Sequence, residues 1–125
     1  MARCNAVLVT ASGTRIALGD TTARHVLHVA TQCASREQLE DILEGVIRTE
    51  YPDGTPYDAP RGALGGLCLE AAYAIRSRSP VQLARTISLC HVLHYWGMAD
   101  VLERIARHAR GMGAHDELVS AVCYR

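Results

Sequence analysis

The chain predicts an α+β fold: an opening β-hairpin, one further short strand and helices through most of the remainder. Three observations carry this. Two short runs rich in β-branched and apolar residues flank the turn Ala11-Ser12-Gly13. From residue 23 onward, apolar residues recur three and four apart, the period of a helix with one buried face. The composition, 49% apolar over 125 residues, supports one modest core and is far from a disordered chain.

The hairpin is expected over Asn5–Thr10 and Thr14–Leu18, with Arg15 and Ala17 alternating against Ile16 and Leu18. Gly19-Asp20-Thr21 closes the strand and offers a helix N-cap. Ala23, Val26, Leu27 and Ala30 then form a stripe that ends near Cys33. Ser35 and Gln38 have the spacing of a capping box. Leu39, Ile42, Leu43, Val46 and Ile47 follow at helical spacing, so a second helix is expected from Ser35 to Thr49. Its polar side is acidic, with Glu37, Glu40, Asp41 and Glu44.

Tyr51–Pro56 reads as a loop, and Pro56–Pro60 as a short edge strand, where proline is tolerated. A helix begins at Gly62 with Leu64, Leu67, Cys68, Ala71, Ala72 and Ile75 on one side. Pro80 suits the first turn of the next helix. In that helix Leu83, Ile87, Cys90 and Leu93 share a face. Gly97 breaks it, and Met98, Val101, Leu102, Ile105, Ala106 and Ala109 restart the period. A glycine accepts the left-handed backbone that such a corner demands. Asp100 with Arg104, and Glu103 with Arg107, are acid-before-base pairs four apart. A last short helix is expected over Ala114–Tyr124. The order is therefore hairpin, two helices, a strand and four helices, with no internal repeat or linker. It forms a single domain, with the hairpin, two helices and third strand in 1–61 and the C-terminal helices in 62–125.

Thirteen acidic residues balance thirteen basic ones, which argues against an electrostatic grip on nucleic acid or an anionic membrane. No apolar run approaches the roughly 18 residues of a spanning helix. The start, Met1–Asn5, lacks a signal-peptide pattern, so an intracellular location in cytoplasm or nucleus is expected. Five cysteines, an odd number without a CxxC pair, read as reduced core residues. Every basic residue is arginine, and lysine is absent. GC-rich coding is the plainer explanation, and a functional consequence follows either way: the chain offers no side-chain amine to ubiquitin.

Chemistry is sparse. His25 with His28, and His91 with His94, have HxxH spacing, but no carboxylate or thiol stands at a ligand spacing beside either pair. They read as polar positions at element edges rather than a metal centre. There is no nucleophile elbow and no glycine-rich phosphate loop after a strand. No enzyme, cofactor or metal is expected.

The hairpin Val7–Ile16, the stretch Asp58–Ile75 and the corner Leu93–Val101 resemble the BTB/POZ superfamily, within it the Skp and elongin C branch. Leu93, Gly97, Asp100 and Val101 fit that family's helical corner, while His91, Val92 and His94 depart from it, and the hairpin lacks the family's Asp before Gly13. The resemblance implies a BTB/POZ (Skp-like) fold, with the hairpin and third strand packed on about six helices. It also implies a non-enzymatic adaptor that links a cullin scaffold to an F-box-like substrate receptor in a ubiquitin ligase. His91, Val92 and Tyr95 would face the cullin. Met98, Val101, Leu102, Leu118 and Val122 would face the receptor, although for Val101 and Leu102 a place in the core is the plainer reading. The alternative is a stand-alone module, either a homodimer or a decoy that blocks a cullin or receptor.

Overall fold

The computed structural model describes residues 4–19, 22–77 and 80–111, and the side chains of all of these except 19, 22–25, 75, 77 and 108–111. The chain forms two compact units, Met1–Gly66 and Leu67–Arg125.

The first unit holds a four-stranded antiparallel sheet. Strands β1 (Asn5–Val9) and β2 (Arg15–Gly19) form the expected hairpin. Helices α1 (Thr22–Thr31) and α2 (Arg36–Leu43) follow, then β3 (Val46–Glu50) and the two-residue β4 (Arg61–Gly62). The sheet order is β2-β1-β3-β4. Ala6 and Leu8 of β1, Leu18 of β2 and Ile47 of β3 are buried, as are Val26, Leu27 and Ala30 of α1 and Leu39, Ile42 and Leu43 of α2. Strand alternation and helical period thus direct their apolar sides inward.

Two expectations are corrected here. The helix expected from Ser35 to Thr49 ends at Leu43, and its second half is β3. Val46-Ile47-Arg48-Thr49 is mostly β-branched, which a strand accommodates and a helix resists. It pairs with β1 residue for residue, from Val9 opposite Val46 to Asn5 opposite Glu50. The change of direction sits at Gly45, where a Cβ would lie 2.2 Å from the Val9 carbonyl oxygen. Only glycine lets the two backbones approach so closely. The edge strand expected over Pro56–Pro60 is also displaced. Pro56 makes one isolated bridge to Glu50, and β4 forms at Arg61–Gly62.

The hairpin and β3 end in loops of one design. Thr10 N–H donates to Thr14 O and Gly13 N–H to Thr10 O, both at 2.9 Å, with Gly13 at φ 94°. Tyr51 N–H donates to Thr55 O and Gly54 N–H to Tyr51 O, again at 2.9 Å, with Gly54 at φ 88°. Each is a tight turn closed by a left-handed glycine, a common form of three-residue hairpin loop.

Helix α2 begins with the expected Ser35 cap, and the return bond of the capping box goes one residue further back, to Ala34. Gln38 N–H donates to Ser35 Oγ, and the Gln38 side-chain oxygen accepts from Ala34 N–H. Its acidic side does more than face water. Ser12 at the hairpin tip donates to Asp41 through its amide (2.8 Å) and its hydroxyl (2.7 Å), and Ala11 N–H donates to the Asp41 carbonyl.

The second unit contains most of α3 (Ala63–Ser77), all of α4 (Pro80–Tyr95) and α5 (Ala99–Gly111). On α3 the expected stripe is buried at Leu67, Cys68, Ala71 and Ala72. On α4 the buried residues are Thr86, Leu89, Cys90 and Leu93, while Leu83 and Ile87 are half-buried. Thr86 tolerates burial because its hydroxyl donates to Gln82 O at 2.8 Å. The last expected helix, Ala114–Tyr124, lies outside the described residues.

Candidate interaction surface

The corner between α4 and α5 is a complete helix stop. Met98 N–H donates to Leu93 O at 2.8 Å and Gly97 N–H to His94 O at 3.1 Å, with Gly97 at φ 71°. This is the Schellman arrangement, and its usual apolar contact positions are Leu93 and Met98, both buried. Carbonyls that would otherwise be orphaned are satisfied, so the end of α4 is held in one geometry. On the outer side of α5, Arg107 donates to Glu103 at 3.2 Å, one of the two acid-before-base pairs expected there.

That corner separates the expected site residues into two groups. Tyr95 is 85% exposed, while Val92 and His91 are half-buried on the same helix. The Nε2 of His91 is shielded from solvent and has no hydrogen-bond partner among the described residues. By contrast Met98 is 4% and Val101 5% exposed, so both belong to the core of the second unit. Leu102 is half-buried. Leu118 and Val122 lie outside the described residues.

Sequence periodicity overlooked three further residues. Six large apolar side chains are exposed among the described residues, and four of them, Leu69, Tyr73, Val81 and Tyr95, lie on α3 and α4. Leu69 and Tyr73 are four apart on α3, hence neighbours on its surface. The signal was present, because these positions lie opposite the buried stripes. Charge adds to it: between residues 63 and 95 the sole acid is Glu70, which is buried.

In the first unit, an open cleft of about 410 Å³ lies over the sheet, with Arg15, Glu50 and Tyr51 among its walls. Glu50 is buried although it ends a strand. Arg15 donates to it at 2.6 Å, and Arg48 lies 3.5 Å from its other oxygen. A carboxylate buried between two guanidinium groups is compensated, which accounts for its place in the fold. Tyr51 and Tyr57 meet edge to face across the adjoining loop, with centroids 5.5 Å apart.

Three of the thiols are poor nucleophiles. Burial pushes Cys33 and Cys68 up to about 11 and Cys90 up to about 12, with Arg104 offsetting part of the effect at Cys68. Among the described residues no three His, Cys, Asp or Glu side chains gather closely enough to hold a metal ion. No helix among them is long and apolar enough to cross a membrane.

Comparison with known proteins adds nothing to this geometry: no family model, curated protein or solved structure matches the chain.

Proposed function

We propose that the chain is a non-enzymatic protein–protein interaction adaptor of the BTB/POZ superfamily, Skp or elongin C-like, which links a cullin to an F-box-like substrate receptor. The observation that carries this is Tyr95, a large aromatic side chain 85% exposed at the end of a helix whose stop is closed by two backbone hydrogen bonds, from Met98 to Leu93 and from Gly97 to His94. Interfaces concentrate their binding energy in such anchors on rigid elements, and tyrosine is prominent among them. The cullin meets His91, Val92 and Tyr95. The receptor meets Leu102 and the C-terminal residues Leu118 and Val122. Met98 and Val101 act from beneath, holding the corner rather than touching a partner.

Affinity purification of the tagged chain from cells, followed by quantitative mass spectrometry, tests this. A cullin and a receptor are expected to co-purify, and Tyr95→Ala is expected to lose at least about tenfold of the cullin, as an aromatic anchor worth over 1.4 kcal/mol does. Absence of any cullin above the level of an untagged control would overturn the adaptor reading. A light-scattering mass of twice 13.6 kDa for the purified chain would favour the homodimeric module instead.

A further inference from the structure

The outward side of α4 has a pattern of its own. Val81, Ala84, Ser88, Val92 and Tyr95 fall at spacings of three, four, four and three. All are exposed except Val92, which is half-buried. At 100° per residue they form one stripe nearly opposite Thr86, Leu89, Cys90 and Leu93, the residues the helix buries. It runs about 21 Å along the helix, four turns at 1.5 Å per residue. Small residues lie in its middle and larger apolar ones at its ends. That profile is a shallow seat with two anchors, the shape that receives another helix.

Charge identifies the occupant. Helix α4 carries no acid at all, and its bases are Arg85, His91 and His94. Arg85 and His91 lie on opposite flanks of the stripe, each about 60° from its centre line. The half-buried His91 leaves a shielded Nε2 without a hydrogen-bond partner among the described residues. On α3 the exposed pair Leu69 and Tyr73 is followed by the exposed Arg76, and the acid of that helix, Glu70, is buried. A basic partner helix would find nothing to pair with along either flank, whereas an acidic one would find Arg85. A second copy is a poorer fit, because two α4 stripes brought together supply no carboxylate: run antiparallel they set the Arg85 flanks together, and run parallel they set Arg85 against the His91 flank.

The geometry points to α4 as the docking seat for an acidic amphipathic helix of about four turns, its apolar residues on Val81 and Tyr95 and its carboxylates beside Arg85. This rests on the reading of Tyr95 as an interface anchor, but not on the partner being a cullin.

The test is a display selection with the full chain as bait and a library of 18-residue helical peptides as probe, counter-selected against Tyr95→Ala. Enriched peptides are expected to carry net negative charge, with apolar residues at three- and four-residue spacings. They should bind Tyr95→Ala at least tenfold more weakly and lose affinity between 50 and 500 mM salt, as pairs at a surface do over about a Debye length. Arg85→Glu, whose folding is checked by its melting curve, should shift the enriched pool toward basic peptides. Enrichment of neutral or basic peptides by the wild-type chain, equal binding to Tyr95→Ala, or no enrichment would each overturn the proposal. So would self-association abolished by Tyr95→Ala, since a second copy would then hold the seat. Failure of the adaptor reading looks different: cells would yield no cullin, while acidic peptides would still be selected and still depend on Tyr95.

Discussion

Ser12 and Asp41 show how much one carboxylate does for the first unit. The Asp41 carboxylate accepts from both the amide and the hydroxyl of Ser12, so the hairpin tip is tied to a helix 29 residues away in sequence. These bonds favour the ionised form and lower its pKa from the ordinary value of 3.8, the Ser12 hydroxyl being the largest cause. A depressed folded-state pKa stabilises the fold above the unfolded value, and that contribution fades as pH falls through the depressed one. Asp41→Asn should therefore cost stability at pH 7, and the gap to the wild type should close as the pH drops below about 3.8. Urea denaturation at both pH values reads this directly; a gap that persists unchanged in acid would mean the carboxylate's charge is irrelevant. The sequence placed Asp41 on an outward acidic side, and so it lies. What periodicity could not convey is the partner, because Ser12 reaches it only through the tertiary fold.

At the scale of elements, the α2-to-β3 junction is the most demanding place in the first unit. Gly45 lies where a Cβ would meet the Val9 carbonyl oxygen at 2.2 Å and the Thr10 Cα at 2.9 Å, both backbone atoms with little room to yield. Gly45→Ala is expected to destabilise by about 1–3 kcal/mol, the usual cost of overpacking. Gly65→Ala, whose added Cβ meets nothing within 4 Å, is the control and should be neutral or stabilise by up to about 1 kcal/mol, alanine's helix-propensity advantage over glycine. Equal denaturation midpoints for the two variants would refute the close-approach account. The same junction explains what sequence reading missed. Leu39, Ile42, Leu43, Val46 and Ile47 satisfy the helical period throughout, yet Val46 and Ile47 also suit a strand, and pairing with β1 decides between them. The capping box and the Gly97 corner were legible because each is a local device, complete within six residues. The exposed anchors on α3 and α4 were legible only in part. Periodicity locates a helix's apolar side, but the opposite side reveals Leu69, Tyr73 and Val81 as surface residues only once burial is known.

Over the whole molecule, charge is unevenly distributed although its total is zero. Residues 1–66 contain eight acids and six bases, residues 67–125 five acids and seven bases. Lysine appears in neither, so an adaptor held beside an active ligase would present no side-chain acceptor. Arg107→Lys, at an exposed position on α5, should then shorten the half-life of the chain in cells, as followed by a translation-block chase. An unchanged half-life would leave codon usage as the whole explanation. The paired loops at Gly13 and Gly54 have a separate implication, for folding kinetics. Each closes a ribbon from residues adjacent in sequence, an event of microseconds with little loop entropy to overcome. Joining the ribbons means bringing β1 to β3 across both intervening helices, so the rate of reaching the native state is governed by that single zippering step rather than by either turn.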